Sequence, residues 1–324
     1  MKTDKIYPDS IEFSGKGLSP LRPELSGPEL VKPQPLKPTP NESDSQNLTN
    51  KKNKLAALLA GYAQTDMCVA FSGGVDSSLL LVMACQAAEE TGKRVCALTM
   101  DTVLHPKADL AIARTVLAKT KAEHYVLTMD ELAVPEIRTN PVNRCYLCKK
   151  ELYSRMLAFA GVKGAAVLLE GSNEDDLHVY RPGLQAVKEL GVKSPLAECG
   201  ITKEEVRTLA REYDIPVADR PSAPCLATRL PYGAEIDLDL LSRIEAGEEF
   251  LKSLGLGNVR IRVHGDILRI EADIQQIPLL MEKREQVIGH MKLVGCPYIT
   301  IDMEGFRSGS MDIHVLPDDP EHRI

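Results

Sequence analysis

The fold class predicted for this chain is α/β: a parallel sheet with helices on both faces, followed by a small α+β unit. Two observations predict it. Between residues 50 and 213, short aliphatic runs of strand length alternate with helix-length stretches, the pattern of parallel strands joined by crossovers. After Gly233 the order changes to helix, two period-two strands, helix and strand.

Residues 1–48 come first. Pro8, Pro20, Pro23, Pro28, Pro33, Pro35, Pro38 and Pro40 interrupt a stretch with little hydrophobic periodicity. Such a stretch cannot bury enough apolar area to offset its ordering entropy, so a disordered or surface-hugging arm is expected. A helix follows from Asn50 to about Tyr62, with Leu55, Leu58 and Leu59 on one face. Met67 to Phe71 reads as a buried strand, Ser72 to Ser77 as a tight turn, and Ser77 to about Gly92 as a helix. Val95 to Met100 is a second strand, Pro106 to Lys119 a helix, His124 to Thr128 a third strand and Ala165 to Leu169 a fourth. Thr202 and Glu205 form a capping box at the start of a helix to about Tyr213. Asp237 to Leu254 is an amphipathic helix. Val259 to His264 and Ile267 to Glu271 alternate around the hairpin signal Gly265-Asp266. A helix from Ile277 to Leu293 and a strand from Tyr298 to Asp302 complete the unit. The expected partition is an arm over 1–48, a larger α/β domain over 49–232, a small α+β domain over 233–316 and a tail over 317–324.

Composition narrows the class of function. A net charge of −7 argues against a broad nucleic-acid surface. No apolar run approaches the ~18 residues of a membrane span. The start lacks the apolar stretch of a signal peptide, so a cytoplasmic protein is expected. Eight cysteines in so long a chain read as reduced thiols rather than a disulfide framework. Cys68, Cys85 and Cys96 sit among apolar residues and are expected in the core, while Cys199 and Cys296 are isolated.

The stretch that organises the chain is Val69-Ala-Phe-Ser-Gly-Gly-Val-Asp-Ser-Ser78. Gly73 and Gly74 lack Cβ atoms, so the backbone can turn its N–H groups towards an anion. The helix that starts at once adds unpaired N–H groups and the positive end of its dipole. Ser72, Ser77 and Ser78 add hydroxyl donors, and Asp76 suits orienting a loop amide or carrying Mg²⁺ beside phosphates. The Gly-Lys-Ser/Thr ending of a Walker loop is missing. In a parallel sheet, ligands bind beyond the carboxyl ends of the strands, which is where Thr99 to Thr102 and Gly171 to Asp176 also fall.

A second constellation is Asn143-Arg-Cys145-Tyr-Leu-Cys148-Lys-Lys150. Two thiols three apart at a helix start can be a redox pair, half a zinc site or part of an iron–sulfur site. The helix N-terminus and Arg144, Lys149 and Lys150 favour thiolates. A Cys₄ zinc site needs a second CxxC, and none exists. Cys225 lies in a stiff loop with Pro221, Pro224 and Pro231, and would bring the thiols to three. A cubane cluster held by three cysteines keeps one iron open for an exogenous ligand such as sulfide.

The loop Ser72 to Ser77 resembles the SGGxDS loop of the ATP pyrophosphatase (PP-loop) superfamily. Together with NRCYLCKK, EGSN at 170–173, YRPG at 180–183, TKEEVR at 202–207 and PCLATR at 224–229, the sequence from about residue 51 to about Met311 is similar to the LarE family. Those enzymes are ATP-dependent sulfur transferases of nickel-pincer nucleotide biosynthesis. The resemblance implies a Rossmann-like domain of the adenine nucleotide alpha hydrolase type. It implies adenylation of a carboxylate of pyridinium-3,5-biscarboxylic acid mononucleotide, then replacement of AMP by sulfur to give the thiocarboxylate. ATP-binding roles are implied for Ser72, Gly73, Gly74, Val75, Asp76, Ser77, Ser78, Thr99, Gly171, Asn173 and Lys203. One branch of the family sacrifices the sulfur of its own cysteine, here Cys225. The branch with a CxxC resembles iron–sulfur tRNA thiolases, and its pattern implies a [4Fe-4S] cluster on Cys145, Cys148 and Cys225, which with Asp76 are the catalytic candidates.

Arg260 and Arg262 share a strand face. The family pattern places them with Arg229, Glu248 and Glu271 in a substrate site, where fork-shaped guanidiniums suit a mononucleotide phosphate. An exposed polar strand face is the other reading of the two arginines. Gly305 to Met311 is expected as a turn near the same surface. The expected partners are a small nucleotide substrate and further copies of the chain, with neither membrane nor nucleic acid; the sulfur donor is unassigned. A tRNA 2-thiolating enzyme is the alternative reading.

Overall fold

The computed structural model describes residues 42–105, 108–221, 223–312 and 315, with backbone alone at 42–44 and 108–111. The expected arm as far as Asn41, the expected helix start at Pro106 and Lys107, Ser222 and the expected tail over 317–324 lie outside the described residues. In chain order the elements are α1 (Glu42–Tyr62), β1 (Met67–Ala70), α2 (Val75–Thr91), β2 (Val95–Thr102), α3 (Ala108–Leu117), β3 (Glu123–Met129), α4 (Arg144–Val162), β4 (Val167–Leu169), α5 (Gly183–Glu189), α6 (Pro195–Glu198), α7 (Lys203–Glu212), α8 (Leu238–Ser253), β5 (Val259–His264), β6 (Ile267–Ala272), α9 (Ile277–Glu282), α10 (Arg284–Met291) and β7 (Tyr298–Ile301).

The first sheet runs β3-β2-β1-β4 with every pair parallel. Its central strands are buried on both faces. Val69, Ala97 and Leu169 meet Leu55, Leu80 and Leu209 in one core cluster, while Cys68, Cys96 and Leu168 meet Tyr153 and Met156 in another. This is why β1 reads as an unbroken apolar run. Cys68, Cys85 and Cys96 are buried as expected, and burial pushes the Cys68 thiol up to about 12.

The second sheet runs β5-β6-β7, antiparallel then parallel. Its core of Ile244, Ile261, Ile270 and Met291 is continuous with Leu104, Ile137, Cys148 and Leu226, so the small unit packs on the loops beyond the first sheet. Among the described residues no helix is long and apolar enough to cross a membrane.

Two expectations need correction. Helix α1 begins at Glu42 rather than Asn50, because the last proline is Pro40 and nothing after it breaks a helix. The single helix expected over 277–293 is broken at Lys283, which leaves helical geometry between α9 and α10.

Candidate active site

Strand β1 ends at the phosphate loop, and the loop is folded on itself. Gly73 sits at φ +75°, and a Cβ there would stand 3.1 Å from Ala113 Cα. Gly74 caps α2 without any side-chain hydrogen bond to the helix, which leaves first-turn amides open. Ser77 Oγ donates to Gly74 O at 3.1 Å and accepts from Ser72 N at 3.3 Å, while Gly74 N donates to Ser72 Oγ at 3.3 Å. Thr99 Oγ1 donates to Phe71 O at 2.8 Å, which fixes β2 against the end of β1. Gly171 is glycine because a Cβ there would meet Ser77 N at 2.9 Å.

Asp76 is already engaged. Asn173 Nδ2 donates to its Oδ1 at 3.0 Å, and Lys203 Nζ forms an ion pair with its Oδ2. Both partners are well placed: Asn173 closes a capping box with Asp176, and Lys203 N donates to Asp175 Oδ2 at 2.9 Å. Glu170, 4% exposed, accepts from Ser172 N, Ser172 Oγ, Ser194 Oγ and Tyr153 OH, a network that holds the Gly171 turn.

The thiols open onto the same space. Ser72, Asp76, Lys203, Cys145, Cys148 and Cys225 all line one cavity of about 520 Å³. Thr99, Gly74, Val75, Ser77 and Gly171 line it too; Gly73, Ser78 and Asn173 do not. Ser78 is fully buried in α2, with no hydrogen bond to its hydroxyl among the described residues. Cys145 and Cys148 lie in the first two turns of α4. Arg144, 3% exposed, reaches Cys145 Sγ at 3.4 Å and donates its other arm to Asn140 Oδ1. Asn140 is left-handed at φ 47°, and its Nδ2 donates to Leu230 O at 3.2 Å and Pro231 O at 2.8 Å. One side chain thus ties the cysteine helix to the segment after Cys225. This was invisible in sequence, since 90 residues separate Asn140 from Leu230.

For two of the three thiols, burial opposes the expected thiolate. Desolvation pushes the Cys148 thiol far above its ordinary range, and pushes Cys225 up as well, although the Arg144 charge opposes it. Among the described residues no three His, Cys, Asp or Glu side chains converge at the spacing of a single metal ion.

Lys149, beyond the CxxC, lines the cavity with its ammonium 5.7 Å from the Tyr153 ring centre and no ion pair among the described residues. Its stem lies across Gly183, where a Cβ would stand 2.5 Å from Lys149 Cδ and would push the lysine stem aside.

The arginine cluster of the small unit stands behind the cavity rather than in its wall. Arg229 pairs bidentately with Glu248 at 2.9 and 2.8 Å, and both are buried. Arg262 and Arg269 pair with Glu271, which also accepts from Ser310 Oγ at 2.7 Å. Arg229 Nη1 donates to Pro224 O at 2.8 Å and Cys225 O at 3.1 Å, and Arg262 Nη1 to Thr228 O at 2.8 Å. These guanidiniums therefore fasten the Cys225 loop. Arg260 lies 5.3 Å from the Phe306 ring centre, and burial, with the Arg229 charge, lowers it to about 10. Both strand arginines are 5% exposed, so the reading of an exposed polar face is wrong: the face packs against Thr228 and Phe306. The turn over 305–311 does reach this cluster through Phe306 and Ser310.

Comparison with known proteins agrees with this arrangement. Residues 47–178 match the PP-loop domain family. An uncharacterised protein of Synechocystis sp. is 35% identical over 264 residues, covering 81% of this chain and 97% of that protein. The pyridinium-3,5-bisthiocarboxylic acid mononucleotide synthase of Lactiplantibacillus plantarum is 34% identical over 265 residues, covering 82% and 95%. The tRNA-specific 2-thiouridylase MnmA of Rickettsia felis is 28% identical over only 50% of this chain and 54% of its own. A similarity that spans both sheets with one relative, and half the chain with the other, decides between them: the chain belongs to the LarE family of ATP-dependent PP-loop sulfur transferases.

Proposed function

We propose that this enzyme adenylates a carboxylate of pyridinium-3,5-biscarboxylic acid mononucleotide and replaces AMP by sulfur, releasing pyrophosphate and a thiocarboxylate. The observation that carries the reading is the single cavity shared by the phosphate loop and three thiols. Activation by a nucleotide and delivery of sulfur need to occur at one carboxyl group.

The loop amides with Ser72, Gly74, Val75 and Ser77, together with Thr99 and Gly171, would hold ATP, with Lys203 exchanging Asp76 for a phosphate oxygen; Gly73, Ser78 and Asn173 lie behind this wall and would shape it rather than touch the nucleotide. Asp76, so released, is the carboxylate that would hold Mg²⁺, which neutralises the leaving pyrophosphate when bound. Lys149, without an ion-pair partner among the described residues, suits the substrate's carboxylate. Arg229 and Arg262, paired with Glu248 and Glu271 and joined by Arg260, lie behind the cavity wall and would hold the Cys225 loop against which the substrate rests.

Cys145, Cys148 and Cys225 fit a [4Fe-4S] cluster in number, chemistry and placement on one cavity wall. Ligands of a cubane bind separate irons and stand farther apart than ligands of a single ion. When bound, such a cluster supplies an iron with one position free for sulfur. ATP use and free thiols fit the cytoplasm. The apolar exposure of Met281, Leu293 and Tyr298 on the small unit suits a homo-oligomer.

The test is iron and acid-labile sulfide content of protein purified without oxygen, followed by pyrophosphate release with ATP and the biscarboxylic mononucleotide. Iron that is lost in Cys145→Ala, with substrate-dependent pyrophosphate release, supports the proposal. Absence of iron, with a Cys225 peptide lighter by H₂S after turnover, would make Cys225 itself the sulfur donor. Absence of pyrophosphate release would remove the adenylation reading.

A further inference from the structure

One buried acid in this region has no part in the chemistry above. Glu131, in the short turn after β3, is 0% exposed. Its Oε2 accepts from Val103 N at 3.1 Å, while its Oε1 has no hydrogen-bond partner among the described residues. An ionised carboxylate withdrawn from water without a full set of partners is costly, so its position calls for a partner of its own. The group in front of it is His105. Glu131 Oε1 lies 3.7 Å from His105 Nδ1, and the same nitrogen lies 2.7 Å from Thr102 Oγ1. His105 is part-exposed and lines the cavity shared by the phosphate loop and the thiols. Thr102 and Glu131 account for its polar contacts among the described residues, and no cysteine is among them.

A carboxylate behind one imidazole nitrogen favours the tautomer with the proton on that nitrogen. Here that is Nδ1, which leaves Nε2 as the proton acceptor available to a ligand in the cavity. We propose that His105, oriented by Glu131 and Thr102, is the general base of the sulfur-transfer step, taking the proton of an incoming hydrosulfide. The inference rests on the reading of the site as an adenylating sulfur transferase. The step balances without any oxidant: the S–H bond breaks and its proton passes to Nε2. The sulfur–carbon bond forms, and the bond from the carbonyl carbon to the adenylate oxygen breaks, with its electron pair leaving on AMP. Adenylation itself requires no such base, because the attacking group is already a carboxylate. His105 is the catalytic residue in this scheme and Glu131 a positioning residue.

That division supplies the test. Full-length protein purified without oxygen is given ATP, Mg²⁺, the biscarboxylic mononucleotide and inorganic sulfide. Single-turnover pyrophosphate release and thiocarboxylate formation are followed separately. His105→Ala is expected to release pyrophosphate within about twofold of the wild-type rate and to form thiocarboxylate about 100-fold more slowly. Added imidazole should recover roughly tenfold of that loss, since the vacated position faces the cavity. Glu131→Gln should slow the same step, and the double variant should be no slower than His105→Ala alone. Wild-type transfer by His105→Ala, or a loss that imidazole leaves untouched, would overturn this assignment and leave the proposed function standing. A wild-type protein that releases no pyrophosphate would overturn both.

Discussion

At the scale of single residues, the site is a set of side chains held in place before any ligand arrives. Asp76 is the clearest case, since Asn173 and Lys203 occupy both its oxygens. Asp76→Ala should leave the fold intact and lower pyrophosphate release at least about 100-fold, measured with saturating ATP. Normal release would take the pyrophosphate chemistry away from this loop. Arg229 shows how a correct choice of residue can carry the wrong geometry. Its motif suggested a substrate contact, but its guanidinium is spent on Glu248 and on the carbonyls of Pro224 and Cys225. Arg229→Ala leaves Glu248 buried without its counter-charge, and should lower stability by about 3–5 kcal/mol in urea unfolding. A change under 1 kcal/mol would mean that the pair is dispensable to the loop.

At the scale of elements, the recurring feature is a tie between segments far apart in sequence. The phosphate loop meets the loop after β4 through Gly171, which must lack a Cβ to approach Ser77. The start of α4 meets the segment after Cys225 through Asn140, whose backbone also accepts from Gly233 N at 3.0 Å. Asn140→Ala removes two good amide donations and puts a side chain less suited to φ > 0 at that position. A loss of about 1–3 kcal/mol is expected in thermal or urea unfolding, together with lower iron retention if the three thiols are cluster ligands. Unchanged stability would show that the two segments are held by apolar packing instead.

At the scale of the whole molecule, the second sheet backs the wall of the cavity onto which the first sheet opens. The core of the small unit runs on into Leu104, Ile137 and Cys148, so the thiol wall and the second sheet fold together. Glu131 lies at this junction and links the site to global stability. Burial works to raise its carboxyl, but His105, its own backbone and Thr102 together hold it below its ordinary value. A depressed carboxyl contributes stability that is present above its unfolded value of about 4.3 and lost as pH falls through the folded value. Glu131→Gln should therefore lose stability near neutral pH and flatten the acid limb of the unfolding profile. An acid limb identical to wild type would remove Glu131 from that linkage. The sequence by itself determined the alternation of strands and helices, the phosphate loop, the CxxC and the capping box at Thr202, because each depends on residues within a few positions of one another. Only the tertiary structure decided that Cys148 is buried, that Arg229 and Arg262 fasten a loop, that Asn140 and Glu170 tie the site's segments together, and that His105 lines the cavity. Those properties depend on which distant atoms exclude water and which supply a hydrogen bond, and spacing along the chain carries no record of either.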